Sequence, residues 1–280
     1  MSDNALYVVA TPIGNLADMV PRAVETLQTV DVIAAEDTRH SARLLEQFHI
    51  STPMVAYHDH SDDTRLLRLV ERLQKGESVA LISDAGTPLV SDPGYKLVRA
   101  ARQAGIRVVP IPGASAMVAA LSAAGLPSDR FAFEGFLPAK RGSRQNALAA
   151  LAGETRTLIF YEAPHRVLET LEDMATVFGG EREVVIAREL TKTFETIHGG
   201  PLQEVVAWVA ADPNQQRGEI VLLLRGADRK AETDIDSEAE RVMSVLLEEL
   251  SVKQAAALGA KLTGVKKKLL YQWALDQKSR

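Results

Sequence analysis

The chain has 280 residues, enough for about two domains of ~150 residues each, and its 46% hydrophobic and 25% charged content is that of a soluble globular protein. It contains no cysteine, which excludes disulfides, thiolate zinc sites, iron–sulfur clusters and cysteine nucleophiles and fits a reducing cytoplasm. A net charge of −5 excludes coating of nucleic acid through a global positive field, so any RNA contact has to use local patches.

No basic, apolar, cleavable run opens the chain. The longest uncharged stretch, Val108 to Ser128, is broken by Pro110, Pro112, Gly113, Gly125 and Pro127, so no membrane span is expected. Leu6 to Ala10 predicts a short strand that runs into the turn Thr11-Pro12-Ile13-Gly14-Asn15-Leu16, with Pro21 opening a helix to Thr29. Strand Val32 to Ala35 leads to Glu36-Asp37-Thr38-Arg39 and a helix from Ser41 to Phe48. Met54 to Tyr57 is followed by a polar segment, His58 to Asp63, and a helix from Thr64 to Gln74 with Leu66, Leu67, Val70 and Leu73 on one side.

The apolar run Val79-Ala80-Leu81-Ile82 then predicts a buried strand ending at Ser83-Asp84-Ala85-Gly86-Thr87-Pro88-Leu89-Val90-Ser91-Asp92-Pro93-Gly94. In open α/β sheets ligands gather at such carboxyl ends. Gly86 lets backbone N–H groups approach a ligand, and Asp84 offers a carboxylate; taken alone, the stretch also reads as an ordinary strand-to-helix connection. A helix over Gly94 to Ala104 and a strand over Arg107 to Ile111 follow, then Pro112-Gly113-Ala114-Ser115-Ala116. Strands alternating with helices imply a mostly parallel sheet. No G-x-G-x-x-G follows a strand and no P-loop occurs, which argues against both nucleotide-binding motifs.

An Ala-rich helix from Ser115 is expected to join this first domain, 1–113, to a second, 114–226. The second opens at Phe131-Ala132-Phe133-Glu134-Gly135-Phe136-Leu137-Pro138 and continues through a basic loop with Lys140, Arg141 and Arg144. Strand Thr157 to Tyr161 ends in Glu162-Ala163-Pro164-His165-Arg166, strand Glu183 to Ala187 ends in Arg188-Glu189-Leu190-Thr191-Lys192, and Gly218 to Leu224 closes the domain with a strand. Two α/β halves facing each other would enclose a cleft. Residues 227–236 read as a polar linker, and 237–280 as a helical basic appendage. There Ser237 caps a first helix with Ala239, Val242, Leu246 and Leu250 inward, Ser251 and Gln254 have capping-box spacing, and Val265, Leu269 and Trp273 give a third helix an apolar side.

Taken together, the loops Thr11 to Leu16, Glu36 to Arg39, Ser83 to Pro88, Ser91 to Gly94, Pro112 to Ala116, Phe133 to Pro138, Tyr161 to Arg166 and Arg188 to Lys192 resemble the tetrapyrrole methylase superfamily. Within it the chain is similar to the small-subunit ribosomal RNA (cytidine-2'-O)-methyltransferase I family. Thr-Pro-Ile-Gly-Asn and Ser-Asp-Ala-Gly-Thr-Pro match the RNA-modifying branch better than the porphyrin and corrin branches. The resemblance implies two α/β domains with a cleft between them, S-adenosyl-L-methionine as methyl donor, a cytidine ribose of the small-subunit decoding region as acceptor, and a homodimer. It assigns donor contacts to Pro12, Asp84, Ala85, Gly86, Thr87, Ser115, Ala116, Glu162 and Ala187, with Asp84 foremost.

A ribose hydroxyl is a weak acid, so a base or a nearby cation should help remove its proton. Glu162, Glu189 and Lys192 are the candidates. Beside Arg188 the lysine could have a lowered pKa or, as ammonium, could stabilise an alkoxide; equally, Glu189 and Lys192 could be a structural ion pair. Arg166 and the Lys140, Arg141 and Arg144 loop suit phosphates, as do Lys266 and Lys267 in the tail, although charge runs are commonly solvated faces. Three other readings compete. His58, His60 and Asp62 have the spacing of a metallo-hydrolase signature but lack its further histidine, so no metal site is expected. The basic tail could be the helix-turn-helix of a ligand-sensing DNA binder. A methylase of a small tetrapyrrole-like substrate shares the fold.

Overall fold

A computed structural model of the chain describes residues 4–57, 63–228, 235 and 237–278. Residues 1–226 form one compact unit and 227–280 a second. Among the described residues of the first unit, ten strands make two five-stranded sheets.

The first sheet has the order β3-β2-β4-β1-β5, with β1 at Ala5–Val9, β2 at Val32–Ala35, β3 at Met54–Ala56, β4 at Val79–Ile82 and β5 at Arg107–Ile111. Every neighbouring pair in it is parallel. Parallel strands need crossover connections, and here these are helices: α1 Pro21–Thr29, α2 Thr38–Gln47, α3 Asp63–Gln74 and α4 Tyr95–Gln103. The inner strands β2 and β4 are apolar and buried at every position because both faces are covered, whereas edge strand β5 carries the exposed Arg107. Ile33, Ala35, Ala80 and Ile82 face α1 and α2 through Ala23, Leu27 and Leu45. Val32, Ala34, Val79 and Leu81 face α3 and α4 through Leu69, Leu73, Leu97 and Ala101. The expected side of α3 is thus displaced: Leu67 is 61% exposed, and Leu69 takes its place inside.

The second sheet has the order β6-β7-β10-β8-β9, with β6 at Phe131–Phe136, β7 at Thr157–Glu162, β8 at Glu183–Arg188, β9 at Thr196–Pro201 and β10 at Ile220–Leu224. Only β6 and β7 pair in parallel; β10 runs antiparallel to β7 and β8, and β8 to β9. Helices α6 (Arg141–Ala150), α7 (Val167–Phe178) and α8 (Leu202–Ala211) cover one face through Leu148, Val167, Leu171, Leu202 and Val205. On the other face, Ile159, Val185, Ala187, Val221 and Leu223 pack against α5 (Ala116–Ala123) and against Ile13 from the loop after β1. That apolar cluster joins the two sheets.

The second unit is built from α9 (Ser237–Glu249), α10 (Val252–Thr263) and α11 (Lys267–Lys278) around Ala239, Met243, Ala255, Ala256, Leu270 and Ala274. Ser251 and Gln254 make the predicted capping box. The inner side of α11 is carried by Leu270 and Ala274, with Val265 and Trp273 only partly buried, so the expectation for Leu269 is off by one position. Among the described residues no helix is long and apolar enough to cross a membrane. His58, His60 and Asp62 lie outside the described residues.

Candidate active site

The loops after β1, β4 and β5 meet the ends of β6, β7 and β8 around one cavity of about 300 Å³, a volume suited to a small molecule. Thr11 N–H donates to Gly86 O at 2.9 Å and Gly86 N–H donates to Thr11 O at 3.1 Å, which ties the β1 loop to the β4 loop. The Thr87 hydroxyl donates to Ala114 O at 3.0 Å and adds the β5 loop. Gly86 has φ +82°, and a Cβ there would stand 3.2 Å from Ile13 Cγ2, so this closure requires glycine.

Two loops approach the cavity in strained conformations. Leu89 (φ 73°) and Ser91 (φ 63°) flank Val90, and Glu189 (φ 52°) and Thr191 (φ 66°) flank Leu190. Val90 and Leu190 both line the cavity. A left-handed residue other than glycine costs about 1–3 kcal/mol and persists only where the surroundings hold it.

Of the positions assigned to the donor, Ala85, Gly86, Thr87, Ser115, Ala116, Glu162 and Ala187 line the cavity, and Pro12 and Asp84 do not. Asp84 Oδ1 instead accepts the backbone N–H of Asp37 at 3.1 Å, joining the β4 and β2 loops. Glu162 is buried, and both its oxygens are taken: Oε1 accepts Ala163 N–H at 2.7 Å, and Oε2 accepts the Thr170 hydroxyl at 2.6 Å and Arg166 Nη2 at 3.2 Å. Arg166 Nη2 also donates to Leu137 O at 2.8 Å, so Arg166 holds Glu162, which is part of the cavity wall, from behind.

Lys192 Nζ donates to Glu189 Oε1 at 2.8 Å and to Glu219 Oε2 at 2.9 Å. Burial works to lower the lysine's pKa, but the two carboxylates outweigh it and hold it above the usual range. Burial likewise works to raise Glu189, and the bonds from Lys192 and Glu219 N–H hold it below the usual range. Of the readings open for Lys192, a pKa lowered beside Arg188 is not what the structure gives: the lysine is an ammonium in an ion pair with Glu189 and Glu219. Arg188 donates elsewhere, to Phe194 O and the Thr196 hydroxyl, both at 3.1 Å. A Cβ on Gly14 would overlap Lys192 and one on Gly218 would overlap Glu189, so two glycines make room for this cluster.

The basic loop is also different from expectation. Arg144 is completely buried in α6, where its Nε donates to Asp173 Oδ2 at 2.7 Å and its Nη2 to Glu169 at 3.3 Å. It therefore presents no face to a phosphate. Arg141 is exposed but bonded to Asp173 at 3.0 Å, and Lys140, Lys266 and Lys267 are exposed.

Asp92, Tyr161, Phe136 and Gly218 to Val221 line the cavity without having been assigned to it. Gly218 to Val221 reach it because β10 is antiparallel, which brings the start of that strand to the same edge as the ends of β7 and β8. Asp92 carried a signal, a carboxylate before a proline in the loop after the buried strand β4.

Residues 5–206 match the family model of the Tetrapyrrole (Corrin/Porphyrin) Methylases, and residues 233–278 match the RsmI C-terminal HTH domain. The solved methyltransferase CobJ shares the fold at a TM-score of 0.59 and 21% identity, over 81% of this chain and 96% of that one. So does uroporphyrin-III C-methyltransferase from Thermus thermophilus complexed with S-adenosyl homocysteine, at 0.54 and 17%, over 79% and 97%. Fold and family model together define a methylase of the tetrapyrrole class.

Closer relatives narrow this further. The chain is 60% identical to the ribosomal RNA small subunit methyltransferase I of Pseudomonas aeruginosa over 100% of both chains, and 56% identical to that of Escherichia coli over 99% of this chain and 96% of that one. The chain belongs to the ribosomal RNA small subunit methyltransferase I family.

Proposed function

We propose that the protein transfers a methyl group from S-adenosyl-L-methionine to the 2'-hydroxyl of a cytidine ribose in the decoding region of small-subunit ribosomal RNA. The observation that carries this is the cavity itself, bordered by Gly86, Thr87, Ser115, Ala116 and Ala187 at the loop ends of two sheets, in a chain whose relatives are named for methylating this RNA.

The donor carries an ammonium, a carboxylate, a sulfonium and an adenosine, and the cavity offers a matching mixture. The loop-end residues Thr87, Ser115 and Ala116 serve the polar parts, and Ile13, Val90, Leu190 and Val221 serve the flat apolar part. The Thermus thermophilus methylase of this fold is described with S-adenosyl homocysteine, the demethylated form of that donor. Methyl transfer is an in-line displacement, so catalysis comes mainly from holding oxygen, carbon and sulfur aligned. Cavity walls fixed by strained loops suit such positioning. In this reading the exposed Lys140 and Arg141 at the start of α6 meet the RNA backbone, and the basic C-terminal helices supply a second contact.

The working unit in this reading is a cytoplasmic homodimer that acts on ribosomal RNA without a membrane. Isothermal calorimetry should show one S-adenosylmethionine per chain, and Ala187→Leu, which fills the cavity, should abolish it. Mapping of ribose methylation in cells lacking the protein should show one cytidine of the small subunit unmodified. Donor binding that survives Ala187→Leu, or an unchanged methylation map, contradicts the proposal.

A further inference from the structure

Three carboxylates border the cavity: Asp92, Glu162 and Glu219. Two are committed elsewhere. Glu162 has both oxygens in hydrogen bonds to Ala163, Thr170 and Arg166, and Glu219 is ion-paired with Lys192, its side chain 71% exposed. Asp92 is half-buried and takes a hydrogen bond from the Ser83 hydroxyl; among the described residues no cation lies within ion-pair distance of it. The titratable groups facing it are Asp84 and Tyr161, neither of which neutralises a carboxylate.

The backbone fixes where this carboxylate stands. Asp92 follows the left-handed pair Leu89 and Ser91 and precedes Gly94, whose φ of +135° and close seat against Leu81 (a Cβ would stand 2.7 Å from Leu81 Cδ2) press the loop onto β4. On its other side, Ser91 Oγ lies 4.0 Å from where a Cβ on Gly135 would be, at the irregularity in β6. The loop is seated on β4 and passes beside β6.

We propose that Asp92 is the catalytic base that receives the proton of the acceptor hydroxyl. The proposal rests on the methyl-transfer reading above. In the step, the hydroxyl oxygen forms a bond to the methyl carbon and gives its proton to an Asp92 oxygen. The carbon–sulfur pair returns to sulfur, leaving a neutral thioether, and Asp92 then releases the proton to water. Burial, helped by the Asp84 charge and opposed by the Ser83 hydroxyl, lifts the Asp92 carboxyl above its usual range, which improves it as a base.

The test uses the full-length protein with Asp92→Asn, which keeps shape and removes basicity. Two quantities are read: S-adenosylmethionine affinity by calorimetry, and the single-turnover rate on small ribosomal subunits that lack the modification. The expected result is an affinity within about twofold of the parent and a rate lower by about 100-fold. A rate loss of less than about tenfold overturns the assignment. So does loss of donor binding in a folded variant, which would make Asp92 a donor contact. Should Asp92→Asn fail to fold, Asp92→Ser is read by the same two measurements. An unaltered protein that binds no S-adenosylmethionine overturns the methyl-transfer reading itself, whatever Asp92 does.

Discussion

Arg144 shows how a single side chain can look like a ligand group and be a structural one. In the sequence it closes a run of basic and small residues, Lys140-Arg141-Gly142-Ser143-Arg144, that reads as a phosphate loop. The run is in fact the lysine before α6 and the helix's first turn, and Arg144 lies one turn before the buried Leu148. That four-residue spacing was the available signal, because residues four apart share a helix face. Its partner Asp173 is buried as well; burial works to raise that carboxyl, but hydrogen bonds from Arg144, Gln145 and Arg141 hold it below 3.8. Arg144→Ala removes the buried cation from Asp173 and leaves it with only Gln145 and the exposed Arg141 on its other oxygen, which should destabilise the protein by about 3 kcal/mol in urea unfolding, whereas Lys140→Ala should not change stability measurably. Because the folded value of Asp173 lies below the unfolded one, its contribution is complete above about pH 4 and is lost as the pH falls through the folded value. Acid unfolding followed by circular dichroism should therefore be less steep in Asp173→Asn than in the parent.

At the level of elements, β2, β4 and β5 were legible to the residue: β2 and β4 because a strand covered on both faces is a short apolar run, and β5 because its Val108-Val109 core is bounded by a turn at Pro112-Gly113. The strand β9 was not. Its residues Thr196-Ile197-His198-Gly199-Gly200-Pro201 carry little apolar signal and form a strand only because β8 offers an edge to pair with. Gly199 fits there since a Cβ would stand 2.8 Å from Val185 Cγ2. The same reasoning applies to α11, where the small residue Ala274 faces inward and a reading weighted to large side chains chose Leu269. Small residues also set the spacing of α9 and α10: a Cβ on Gly259 would stand 2.6 Å from Met243 Sδ. Gly259→Leu should force these helices apart and unfold the C-terminal unit, seen as loss of helical ellipticity, while calorimetric donor binding by residues 1–226 is unchanged.

For the whole molecule, the chain separates into a unit that holds the cavity and a helical unit matched by its own family model. A protein ending at Gly226 should keep S-adenosylmethionine affinity within about twofold and lose methylation of intact small subunits. Full activity of that truncation would remove the helical unit from substrate recognition. The two sheets were foreseeable, and so was the loop edge at which they meet. Which carboxylate stands without a cation at that edge was not, since Glu162 and Glu219 differ from Asp92 in cationic partners that lie 4 and 27 positions away in the sequence.

Ile13 leaves the first sheet's loop to sit in the apolar cluster of the second. Severing the chain between residues 113 and 114 would leave that side chain without its cover and take it away from α5 and the second sheet, which pack against it. Neither fragment would then be expected to remain in solution alone, and heating the intact protein should melt both halves in a single calorimetric peak. Sheets bonded in this way do not open like a book, and the cavity between them meets solvent at a rim where the ring of Phe136 is exposed.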